Sequence, residues 1–95
     1  MARFNKDSLQ KLYKAILSLE TEAECDDFFE DICTIQELEA LSQRLEVASL
    51  LKKGMSYSEV NKATGASTAT ISRVGKCINY GNGGYELVLS RTEEN

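Results

Sequence analysis

A single glycine, Gly65, placed between two serine-capped stretches does most to limit what this chain can become. Upstream of it, Ser56 and Glu59 have the spacing of a capping box. In such a box each residue's side chain accepts from the other's unpaired backbone N–H at a helix start. Downstream, Ser67 stands where a second helix would begin, with a hydroxyl suited to the same task. Gly65 lies between them, where the first helix must stop, and a residue tolerant of positive φ ends a helix that sharply. Residues 56–79 therefore read as two short helices joined by a tight turn, a helix-turn-helix. On the second of these helices Ile71, Val74 and Ile78 share one face. Ala69, Arg73 and Lys76 share the opposite one, with Thr70 and Ser72 at its margins. One apolar face and one small, hydroxylated and basic face suit a helix that enters a major groove. The plainer alternative is a helical hairpin packed into a core.

The 95 residues are expected to form a single domain, 1–95. A chain this small buries only roughly 60–65% of its unfolded surface, so a second copy of itself would help to complete a core. The net charge of −4 is awkward for a nucleic-acid binder, but its distribution is not. Residues 1–40 carry four basic and ten acidic side chains, residues 41–80 six basic and two acidic, and residues 81–95 one basic and three acidic. Positive charge thus gathers around the proposed reading head. The acidic remainder opposes non-specific attraction to phosphates, which is electrostatic.

Three cysteines, Cys25, Cys33 and Cys77, with no histidine and no C-x-x-C, argue against both a disulfide framework and a zinc site. No cofactor or metal is expected. No apolar stretch is long enough to span a membrane. The first residues, Met-Ala-Arg-Phe-Asn-Lys-Asp, lack the apolar core of a signal peptide, so a cytoplasmic location is expected. There is no G-x-S-x-G, and the glycines at 81–84 lack a following Lys-Ser/Thr, so neither a serine nucleophile nor a phosphate loop is signalled and an enzyme is not expected.

Elsewhere the pattern is helical. Leu9, Leu12, Tyr13, Ile16 and Leu17 form one apolar stripe of a helix starting near Asp7 or Ser8. Thr21 with Glu24 starts a second helix, rich in acids that favour the positive end of a helix dipole. Thr34 with Glu37 starts a long third one that runs to about Lys53, with Gly54 after it. Its apolar residues, Ile35, Leu38, Leu41, Leu45, Leu50 and Leu51, are widened by Val47 into a stripe that fits contact with both its own domain and a partner chain. Gly81-Asn82-Gly83-Gly84 reads as a flexible break. Residues 81–95 are left as a flexible tail too short to classify. The expected architecture is all-α, about five helices with that tail.

The stretches Thr34-Ile-Gln-Glu-Leu-Glu-Ala-Leu-Ser-Gln-Arg44, Met55-Ser56 with Glu59, Gly65-Ala66, and Ala69-Thr70-Ile71-Ser72-Arg73 resemble the Trp repressor family, in particular its YerC/YecD-like branch. The likeness covers roughly residues 30–80. Residues 1–30 resemble the family only as helices, and the Gly-rich tail departs from its final helix. The resemblance implies a Trp-repressor-like helical domain, an intertwined homodimer, and operator binding through Thr68, Ala69, Thr70 and Arg73. Asn61 stands in the place of a basic residue that approaches the DNA backbone, and Lys76 lies on the same exposed face. The resemblance also implies a candidate effector pocket at Thr34, Arg44, Arg73, Val74 and Cys77. There, Val74 replaces a glycine that leaves room for a ligand, and Cys77 replaces a serine. Both replacements weigh against tryptophan as the effector and leave a different small molecule open. The expected function is a sequence-specific DNA-binding transcriptional regulator, repressor-like, acting as a homodimer on a double-stranded operator with no membrane association. The alternative is a helical protein-interaction module that has lost DNA binding.

Overall fold

The computed structural model describes residues 5–93, and among them every regular element is an α-helix. The order is α1 (Lys6–Leu17), α2 (Glu22–Ile32), α3 (Ile35–Lys52), α4 (Tyr57–Thr64), α5 (Thr68–Tyr80) and α6 (Gly84–Thr92). None of these helices is long and apolar enough to cross a membrane. The chain divides into two compact units, Met1–Leu38 and Glu39–Asn95.

In the first unit local chemistry sets the helix starts. Asn5 caps α1, its side chain accepting from the Asp7 and Ser8 amides at 2.9 and 3.2 Å. The helix therefore begins at Lys6, slightly ahead of the expected start. Thr21 caps α2, accepting from the Glu24 amide at 3.1 Å. Thr34 caps α3 in a complete box: its hydroxyl accepts from the Glu37 amide at 3.1 Å, and its own amide donates to Glu37 Oε1 at 2.8 Å. Phe28 and Phe29 meet edge to face with ring centroids 5.4 Å apart. Yet no described residue of this unit is buried. Leu17 is 84% exposed and Ile35 72%, so the amphipathic stripes read from the sequence exist without a cover.

The second unit holds the core. Val47 and Ala48 from α3, Val60 from α4, Ala66 from the turn, Ile71 and Val74 from α5, and Leu89 from α6 are all buried. Leu50, Leu51, Met55, Ile78 and Tyr85 pack against them. The end of α3 is a Schellman stop: the Met55 amide donates to the Leu50 carbonyl at 3.2 Å and the Gly54 amide to Leu51 at 3.0 Å, with Gly54 at φ +91°. Only glycine takes that backbone conformation without strain.

Residues 84–92 correct the expectation of a flexible tail and of about five helices, since they form a sixth. Leu89 anchors α6 in the core. Ser49 on α3 donates to Glu93, and Lys52 pairs with Glu86 at 3.4 Å. The ion pair is exposed and contributes little, so α6 is held mainly by burial. Lys53 sits 4.0 Å from Glu93, at the outer limit of such a pair.

Candidate nucleic-acid interface

The helix-turn-helix lies wholly in the second unit, and its local chemistry fixes its shape. Ser56 and Glu59 form the capping box expected of them, with the Glu59 amide donating to Ser56 Oγ at 3.1 Å and the Ser56 amide to Glu59 Oε1 at 2.9 Å. The hydrogen bond from the Ser56 backbone, helped by the Ser56 side chain, holds the Glu59 carboxyl below its ordinary value of 4.5. Gly65 ends α4 at φ +73°, donating its amide to the Asn61 carbonyl at 2.8 Å. Ser67 then caps α5, accepting from the Thr70 amide at 3.1 Å.

Several polar groups of the turn between the two helices are paired. Thr64 donates its hydroxyl to the Val60 carbonyl at 2.8 Å and accepts from the Ala66 amide at 3.1 Å. Asn61 donates its side-chain amide to the Ala66 carbonyl at 2.7 Å. Asn61, which the sequence offers as a candidate contact to DNA, is a brace across the turn. A hydrogen bond from α3, Gln43 to the Thr64 carbonyl at 3.4 Å, backs the end of α4.

The two faces of α5 separate as their spacing predicts. Ile71 and Val74 are buried and Ile78 is half-buried, whereas Thr68, Ala69, Arg73 and Lys76 are exposed and Thr70 is partly so. Tyr80, which the sequence reading passed over, continues the exposed stripe at the spacing 69, 73, 76, 80 and is 87% exposed. Extending the helical period by one more turn finds it.

The candidate effector residues differ in burial. Val74 is only 1% exposed and belongs to the core. Arg44 is half-buried, Arg73 and Cys77 are exposed, and Thr34 lies in the first unit as the cap of α3. The second unit does contain an apolar groove of about 490 Å³, lined by Leu45, Cys77, Gly81, Asn82, Gly84, Tyr85 and Val88. Of the five candidates it includes Cys77 alone.

With that geometry, comparison with known proteins becomes informative. The family model described as Trp repressor protein matches residues 7–93. The chain belongs to the Trp repressor family. Its match extends well beyond the 30–80 stretch that carries the visible motifs, and it includes both the first two helices and α6. The chain is 54% identical over 86 residues to the uncharacterized protein YerC of Bacillus subtilis (strain 168), covering 90% of this chain and 83% of that one. The solved structure of a TrpR-like protein from Eubacterium eligens ATCC 27750 superposes with a TM-score of 0.89 at 49% identity, covering 94% of each chain. A second solved structure, from Staphylococcus aureus, gives the same TM-score at 46% identity, covering 94% of this chain and 91% of that one. The Trp-repressor-like fold is thus shared across near relatives.

Proposed function

We propose that this Trp repressor family member is a sequence-specific DNA-binding transcriptional regulator that works as a homodimer. The observation that carries the reading is the exposed stripe of α5. Ala69, Arg73 and Lys76 stand free on a helix whose opposite face is locked into a core, beyond a turn braced by Asn61 and Thr64. A rigid helix with small residues near its start and cations further along can enter a major groove and hold a phosphate. Thr68 and Thr70 flank the stripe, Asn61 borders it from α4, and Tyr80 extends it toward the backbone. The family match runs through both units and supports treating residues 1–95 as one domain.

The first unit supports dimerisation. Apolar stripes without a buried residue do not repay the entropy of ordering their helices, so a second copy is the natural cover. Tryptophan is not the effector in this reading, because the Val74 side chain is packed into the core where a ligand pocket needs space.

Affinity selection on genomic fragments, followed by gel shift of the recovered DNA, tests the reading. The expected result is selective binding that weakens steeply with salt, as phosphate contacts release counterions. Failure to enrich any fragment at low salt would favour the protein-interaction module instead.

A further inference from the structure

We propose that Tyr57 and Gly75 are a positioning pair that fixes the angle of α5 against α4 and thereby sets discrimination between operator and other DNA. The proposal rests on the DNA-binding reading above and concerns how that interface is held in shape.

Gly75 lies in the interior of α5 and is buried. Glycine there weakens a helix relative to alanine, and its φ is not in the left-handed region, so backbone freedom does not explain it. Space does. A Cβ at Gly75 would overlap the Tyr57 hydroxyl, and it would stand 3.4 Å from Tyr57 Cζ and 3.9 Å from Leu51 Cδ1. The tip of the phenol occupies the notch that the missing methyl leaves.

Tyr57 is the first residue of α4, so this contact joins the start of α4 to the middle of α5 and bypasses the turn. The pair α4–α5 is otherwise joined by the Gly65 turn and by Val60, the single buried residue of α4, which packs in the core with Ile71 and Val74. The Tyr57 contact adds a hold between the helices at the end of α4 far from the turn. Core burial is not the reason for an aromatic at 57, since the residue is 47% exposed. Base readout needs side chains held within about 0.5 Å and 10–20° of their working geometry, so a small change of angle would move Arg73 and Lys76 off register while leaving their charges in place.

The decisive experiment moves one heavy atom across the contact. Gly75→Ala is expected to lower operator affinity at least tenfold while non-specific affinity at the same salt changes less than threefold. Adding Tyr57→Phe removes the hydroxyl where the new methyl sits, and the double variant is expected to return to within threefold of wild-type affinity. Should Gly75→Ala fail to fold, Tyr57→Ala opens the notch without a clash, and the ratio of operator to non-specific affinity is expected to fall at least fivefold with helix content unchanged. An unchanged ratio in the folded single variant, or a loss that persists in the double variant, overturns the proposal. If the wild-type chain selects no DNA, the DNA-binding reading fails by itself. The pair is then judged by melting temperatures of wild type, both single variants and the double. Non-additive shifts support the contact, and additive ones overturn it.

Discussion

Arg73 and Asn61 show how two residues near the proposed interface differ in what they hold. Arg73 is exposed while Ile71 and Val74 beside it are buried, so its side chain contributes little to folding. Arg73→Ala is expected to weaken operator binding by about 1–3 kcal/mol, the range of a specific Arg contact, and to leave the melting temperature nearly unchanged. Operator titration and thermal melting on the same preparation check this. A large fall in melting temperature with intact binding would mean that the faces of α5 are assigned wrongly. Asn61 behaves differently because its amide bonds the part-buried Ala66 carbonyl. Asn61→Ala is expected to cost about 1 kcal/mol of stability from that lost bond, whatever it does to DNA affinity. Chemical denaturation in the absence of DNA reads it. The sequence offered Asn61 as a candidate contact to DNA but not its brace role, since the partner is a backbone carbonyl across a turn and leaves no mark on residue types.

Among the helices, those with a polar cap and a clear stripe were legible, and the one without was not. Caps are interactions within three or four residues, so Thr21, Thr34, Ser56 and Ser67 announce α2, α3, α4 and α5 directly. Helix α6 is preceded by Gly83 at its cap position, which has φ +81° and no capping side chain. It follows a run of glycines, and Leu87 and Val88 remain exposed while Leu89 alone is buried. Nothing local in residues 81–92 separates a helix from a flexible tail. The partners that decide it lie on α5 and, some forty residues away, on α3. The capping box of α4 carries a pH signature. A carboxyl held below its ordinary value stabilises the folded state above that value, and the contribution is lost as pH falls through the lowered one. Glu59→Ala is therefore expected to lower the melting temperature at neutral pH, and the gap from wild type is expected to narrow below about pH 4.5. Thermal melts across a pH series measure the gap. A gap constant down to strongly acid pH would show that the Glu59 carboxylate contributes nothing to the box.

For the molecule as a whole, the uncovered helices of the first unit and the buried Val74 each lead to a measurement. Sedimentation at micromolar concentration is expected to give twice the chain's 10.5 kDa, because a monomer would leave Leu17, Ile32 and Ile35 in water. A folded monomer would remove the dimer from the proposed function. Operator affinity is expected to be the same with and without saturating L-tryptophan. A tenfold gain, about 1.4 kcal/mol of coupling, would show that a ligand site opens beside Val74 after all.

The sequence by itself determined the all-α class, the starts of α2 to α5, the stops of α3 and α4, the two faces of α5 and the gathering of positive charge around it. Each of these is set by neighbours within a turn of helix or by simple periodicity, which a linear string records. Tertiary structure decided that Leu89 and α6 complete the core, that Val74 is packed away among the buried residues, that Asn61 braces the turn, and that the Tyr57 hydroxyl sits where Gly75 has no side chain. These depend on which surfaces meet after the helices form. Such contacts join residues of ordinary type at long or irregular separation, so only the packed chain reveals them.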